Sequence, residues 1–197
     1  MLAQHLQADD FRAVVVVHNE SSTGAVADLA RIGAAVAKTP ALLVVDSVSG
    51  LGGIEMQQDA WGVDVLISAS QKALMCPPGL AFASVGPKAW NVIESAQVTP
   101  RFYWDFRKAR ESATKGQTPF TPAVSLVYGL QEATRMIADE GLPAVLTRHR
   151  TLADALRRGT AALGLPLFTA SPIISDTVGV FCVPDGLDGG AIVRHMY

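Results

Sequence analysis

Three short apolar runs, each stopping abruptly at a polar cluster, most constrain how this chain can fold. Val14-Val15-Val16-Val17 leads into His18-Asn19-Glu20-Ser21-Ser22-Thr23-Gly24, Leu42-Leu43-Val44-Val45 into Asp46-Ser47-Val48-Ser49-Gly50, and Val65-Leu66-Ile67 into Ser68-Ala69-Ser70-Gln71-Lys72. Unbroken runs of this length, rich in β-branched residues, predict strands buried in a parallel sheet. The Ala-rich segment over residues 26–38, stopped by Thr39-Pro40, predicts the helix that crosses between the first two strands. A shorter connection through Gly52, Gly53 and Ala60-Trp61 leads to the third strand. The pattern predicts an α/β fold of three layers, a mainly parallel sheet covered by helices on both faces. Ligands of such sheets collect at the carboxyl ends of the strands, so the three polar clusters are expected to converge.

Composition narrows the function. With 197 residues, 49% hydrophobic and 17% charged, the chain can bury a substantial core. A formal net charge of -2 with no block of Lys or Arg argues against a nucleic-acid surface, which needs clustered positive charge. The apolar runs are far shorter than the roughly 20 residues that span a bilayer, so no membrane span is expected. Met1-Leu2-Ala3-Gln4-His5 offers no basic segment followed by an apolar one, so a cytoplasmic setting is the expectation. Cys76 and Cys182, far apart in unlike contexts, are expected as free thiols rather than as a disulfide or metal site.

Further along, residues 79–85 predict another strand, parallel or antiparallel, and residues 87–94 a short helix. Aromatics over residues 102–106 give way to a charged stretch over 107–111, and Pro119 and Pro122 make residues 117–122 irregular. A long helix is expected over residues 122–139, with Pro122 as its first residue and Gly141 ending it. A second follows over residues 142–163, its Arg148, Arg150, Arg157 and Arg158 read as a solvated face. Residues 165–168 and 178–183 predict strands, and a last helix starts near Leu187. The expected division is a large domain over residues 1–121, a connecting helix over 122–144 and part of a smaller α+β domain over 145–197.

An acid and a lysine at neighbouring strand ends are what a pyridoxal phosphate site needs. Asp46 would keep the pyridine nitrogen protonated, and Lys72 would carry the cofactor as a Schiff base. The residues around Lys72, from Ala69 to Gly79, are otherwise uncharged, which predicts a desolvated, nucleophilic amine. Taken singly these residues have plainer readings. Asp46 serves as well as a turn former, and residues 21–23 as an N-cap series. His18 reads as a packed strand-end histidine, and Cys76, before two prolines, as part of a structural turn. Tyr103 and Trp104 suit a dimer interface, a substrate entrance or buried packing equally.

The segments around Ser21, around Asp46 and around Lys72 with Pro77-Pro78-Gly79, in that order, resemble the class V aminotransferases of fold type I, most of all the alanine-glyoxylate and serine-pyruvate group. The resemblance covers nearly the whole chain, including Thr118-Pro119-Phe120-Thr121-Pro122. It implies pyridoxal 5'-phosphate as cofactor and Lys72 as both its attachment point and the catalytic acid and base. It further implies Asp46 at the pyridine nitrogen, Val48 packed on the ring, Ser21 near the phenolic oxygen and Gln71 on the phosphate. Thr118, or Thr121 in its place, would reach the phosphate of a neighbouring subunit, so a homodimer with a shared site is implied. The implied reaction is amino transfer from a small amino acid, alanine or serine-like, to a 2-oxo acid such as glyoxylate or pyruvate. The family's phosphate-binding turn and stacking aromatic precede the strand at Val14, and its substrate-carboxylate arginine lies in the last part of the small domain, beyond Tyr197; none of these has a match here, and Arg194 is at no matching motif. A truncated, non-catalytic fragment is the alternative. A desulfurase is disfavoured by Gln71, where such enzymes resemble one another in having histidine.

Overall fold

The computed structural model describes residues 2–97, 100–170 and 172–196. Helix α1 (Leu2–Ala8) precedes strand β1 (Ala13–Val17), which is followed by a short hairpin, β2 (Asn19–Glu20) and β3 (Ala25–Val26). Helix α2 (Leu29–Val36) leads to β4 (Leu42–Asp46), β5 (Val65–Ala69) and β6 (Ala81–Val85). The main sheet has the order β1-β4-β5-β6, with the first three strands parallel and β6 antiparallel to β5. In β1 to β5 the register places Val17 beside Asp46 and Asp46 beside Ile67. The polar segments that follow these strands therefore leave the sheet at one edge.

Helix α2 is shorter than the Ala-rich segment suggested because Ala25 and Val26 are taken up by the hairpin. Its N-cap is Asp28, whose carboxylate accepts from the Arg31 N–H at 3.0 Å, and the Thr39 hydroxyl donates to the Val36 carbonyl at its end. Leu29, Gly33 and Val36 form its buried stripe. They pack on Leu43 and Val45 of β4 and Leu66 of β5, with Leu6 of α1 closing the cluster. Full burial of side chains of this size contributes about 1.5–3 kcal/mol each. The other face of the sheet is open within the described residues, with Val15 73% and Ile67 39% exposed. Two-sided coverage, expected from the unbroken apolar runs, is thus met on one side only.

The rest of the chain is helical and more exposed. Helix α3 (Pro87–Ser95) packs on α4 (Phe106–Thr114), where Arg110 lies over the Trp90 ring at 4.0 Å. The sequence reading passed over α4 as a charged stretch; Asp105 starts it by accepting from the Arg107 N–H. Helix α5 (Val124–Glu140) begins two residues after Pro122, so that proline lies outside the helix it was expected to open. Gly141, at φ 85°, turns the chain into α6 (Leu142–Ala162). The segments expected as strands near residues 165 and 178 form one antiparallel bridge, Leu167 with Phe181, flanked by hydrogen bonds at Phe168 and Cys182. Pro166 has no N–H to extend that ladder. The final helix, α7, spans Gly189–Met196. Cys76 is buried and Cys182 exposed, both free. Among the described residues no helix is long and apolar enough to cross a membrane.

Gly33 occupies a helix interior, where glycine costs about 1 kcal/mol relative to alanine, because a Cβ there would overlap the Trp61 carbonyl. We expect Gly33→Ala to destabilise the chain by about 1–3 kcal/mol in denaturant unfolding despite its better helix propensity. Unchanged or raised stability would contradict this packing.

Candidate active site

The site is built on three turns at the ends of β1, β4 and β5. After β1, His18 turns inward; its N–H donates to the Asp46 carbonyl and its ring Nδ1 pairs with the Ser47 hydroxyl at 2.9 Å. Both side chains are buried, and a Cβ on Gly50 would lie 2.6 Å from that ring nitrogen. His18 is therefore a scaffold residue, as the plainer sequence reading held. After β4, one carboxylate oxygen of Asp46 accepts from the Val48 N–H at 2.9 Å, and the Ser47 carbonyl accepts from Gly50 and Leu51. These bonds fold residues 46–51 into a tight turn that holds Asp46 and Val48, both half-buried, at the strand end.

After β5, buried Ser70 closes the turn that carries Lys72. Its hydroxyl donates to the Pro77 carbonyl at 2.7 Å and accepts from the Leu80 N–H at 3.2 Å, while the Met75 N–H bonds back to the Lys72 carbonyl. Met75 is held at φ 59°, a left-handed conformation that costs an ordinary residue about 1–3 kcal/mol. Lys72 and Gln71 themselves are exposed. The desolvation expected from the uncharged neighbourhood is thus not realised: Ala73 and Met75 line the same cavity as Lys72, yet the lysine stays exposed.

Lys72 opens onto a cavity of about 380 Å³ whose wall includes Ser21, Ser49, Met75, His149 and Thr177. The Ser21 and Ser49 hydroxyls pair at 2.9 Å. Of the residues singled out from sequence, Ser21 and Lys72 share this wall, and Asp46 and Val48 form the adjoining turn. Thr118 is not brought there: it lies in the exposed loop after α4, its hydroxyl donating to the Phe120 carbonyl. Around it Tyr103 stacks on Phe120 at 4.4 Å, and Tyr103 and Trp104 are exposed, so buried packing does not account for these aromatics.

Ser49, Asn19, Thr177 and His149 were missed. Residues 173–178 dock beside the β2–β3 hairpin, with the Val26 N–H donating to Ile173 and the Ser175 N–H to Gly24. Asn19, 2% exposed, donates to both the Ser49 carbonyl and the Thr177 hydroxyl at 2.9 Å. Arg157 fixes the same turn from α6, donating to the Ser175 carbonyl and the Asp176 carboxylate, each at 3.1 Å. Its side chain is only 18% exposed, so it departs from the solvated face expected of the arginine series. Arg148 conforms, pairing with Glu140 at the surface. His149 had a legible signal: it falls four residues after buried Val145, on the inward stripe of α6.

Burial pushes the His18 imidazole below its ordinary value of 6.5. The unfolded chain then takes up a proton in a range where the folded one does not, so stability is full above about 6.5 and falls as pH drops toward the folded value. His149 adds to the loss in the same direction, through burial first and Arg148 second. Carboxylates held low by their partners, such as Glu20, act only below their ordinary 4.5. We expect His18→Gln, though less stable, to lose stability less steeply between about pH 7.5 and about pH 5.5. An unchanged slope in urea unfolding would contradict a neutral, buried His18.

The chain is 42% identical to the small subunit of the soluble hydrogenase of Synechococcus sp., over 94% of its length and 51% of that protein's. It is 38% identical to the serine–glyoxylate aminotransferase of Methylorubrum extorquens, over 100% of its length and 51% of that enzyme's. The crystal structure of an alanine–glyoxylate aminotransferase from Nostoc sp. superposes with a TM-score of 0.95 at 32% identity, over 99% of this chain and 52% of that one. The chain thus spans about half the length of the relatives it matches. The model of the aminotransferase class-V family matches residues 1–183, a span that takes in the mainly parallel sheet, the Lys72 turn and the segment that delivers Thr177. The chain belongs to the class-V aminotransferase family.

Proposed function

We propose that this chain provides the lysine-bearing part of a pyridoxal phosphate site for amino transfer from a small amino acid to a 2-oxo acid such as glyoxylate or pyruvate. The observation that carries the reading is the convergence, on one sheet edge, of the Lys72 amine, the Ser21–Ser49 hydroxyl pair and the carboxylate of Asp46. The donor set fits the cofactor: an amine for an aldehyde and hydroxyls for a phenolic oxygen in the cavity wall, and in the adjoining turn an acid for a ring nitrogen. When bound, pyridoxal phosphate supplies an electron sink for carbanion charge at the substrate Cα.

Lys72 Nζ would hold the cofactor and, once released, would take the proton from the substrate Cα and deliver it to the cofactor carbon that carries the transferred nitrogen. Its exposure leaves it free to swing between these tasks. Asp46, with one oxygen bound to the Val48 N–H, has the other left for the ring nitrogen and would keep its proton in place. Val48 would pack on the ring, Ser21 would meet the phenolic oxygen and Gln71 the phosphate. Thr118 and the exposed aromatics near it face a second subunit of a homodimer, which accounts for their distance from this chain's own cavity. The division into a large domain to residue 121, a connecting helix to 144 and a small domain beyond belongs to the same reading, as does a cytoplasmic location.

Lys72→Ala is expected to abolish amino transfer to glyoxylate by the chain, measured as loss of 2-oxo acid release from the donor. Asp46→Asn is expected to retain cofactor binding while slowing transfer about 10²-fold or more. Normal turnover in the lysine variant would overturn the assignment.

A further inference from the structure

Apart from Lys72, the cavity wall carries one titratable side chain that no part of the proposed chemistry uses, His149. Two other histidines have evident bonds: His18 pairs with Ser47, and the His195 ring lies 2.8 Å from the Ala191 carbonyl. The His149 ring makes no hydrogen bond among the described residues, although it is half-buried. Its place is closely determined. Val145 anchors the preceding turn of α6 in the interior, and Nε2 lies 3.7 Å from where a Cβ on Gly53 would stand. That Cβ would also meet Thr177 at 2.6 Å and Ala73 at 3.2 Å, so a glycine is what lets the imidazole, Thr177 and the Lys72 turn approach one another.

We propose that His149 is a specificity-determining residue that hydrogen-bonds the side-chain hydroxyl of the amino donor, so that the site takes a hydroxyl-bearing amino acid, of which serine is the smallest, in preference to alanine. The inference rests on the pyridoxal phosphate reading of the cavity. Its basis is the chemistry of the wall around the ring. The Thr177 hydroxyl is engaged with Asn19, Ser49 and Ser175, and Ser21 and Ser49 are engaged with each other. The imidazole is left as the free polar group on its side. Burial, with Arg148 beside it, holds His149 below the ordinary histidine range, while Glu140 and Asp176 pull weakly the other way. A neutral ring offers one N–H and one lone pair, the complement of an alcohol. A site with a polar group committed to a substrate hydroxyl loses affinity for an analogue without one, because that group is left unpaired.

The test is a titration of the cofactor-loaded chain with L-serine and with L-alanine, followed by the change in the visible band, in wild type, His149→Phe and His149→Asn. For His149→Phe we expect serine binding to weaken about five- to tenfold and alanine binding to change by less than about twofold, with His149→Asn restoring part of the serine preference. Cofactor affinity should be unaltered in both variants. In wild type, the His149 ring resonances should shift with serine and not with alanine. Equal weakening of both amino acids, or an unchanged ratio, overturns the role of His149 alone. A wild-type chain that forms no cofactor band overturns the reading of the cavity, and this inference with it.

Discussion

The parallel hydrogen-bond ladder that sets Val17 beside Asp46 and Asp46 beside Ile67 is the constraint on which the rest of this structure depends. A register error of one residue in β4 would turn Asp46 to the opposite face and bring Val45 into its place. The register is held from below by the core, since Leu43, Val45 and Leu66 must meet Leu29 and Val36 of α2. It is held at the top by buried polar pairs: His18 with Ser47, the Ser47 N–H with the Ile67 carbonyl, and the Ser68 hydroxyl with the Ser47 carbonyl. Leaving one of these groups unpaired costs about 1–3 kcal/mol, so the turns that bear Asp46 and Lys72 are set by groups that take no part in chemistry.

A second junction completes the cavity. The segment around Thr177 pairs with the β2–β3 hairpin through backbone bonds and is clamped on its far side by Arg157. Asn19 links the two at a separation of 158 residues, with one Oδ1 atom buried and without a partner. Through this junction α6 presents His149, and the segment after it Thr177 and Val178, to a cavity whose other wall residues belong to the hairpin and the strand-end turns. On the proposed reading, substrate selection and cofactor attachment would be supported by separate elements that meet across a polar seam.

Much of the sheet was legible because parallel strands are apolar on both faces and stop sharply, and the polar turns that bear Asp46 and Lys72 follow those stops. Helix α4 was hidden because its charged residues outweigh a short apolar face of Phe106, Ala109 and Ala113, none of which is buried. The small unit was over-read: apolar residues near 167 and 181 do pair, but prolines restrict them to a single bridge. Thr177 and Asn19 could not be assigned from local pattern, since they meet each other across more than a hundred positions, and the inward place of His149 on α6 did not by itself show what it faces. The exposure of Lys72 was likewise invisible, because an uncharged sequence neighbourhood does not determine which way a turn points.

The central claim, that this sheet edge is a pyridoxal phosphate site centred on Lys72, is tested most directly by adding the cofactor to the purified chain, reducing with borohydride and mapping the labelled peptide. The account predicts a yellow absorbance band and a single adduct on Lys72. Labelling spread over other lysines such as Lys88 or Lys115, or no stable adduct, would contradict it.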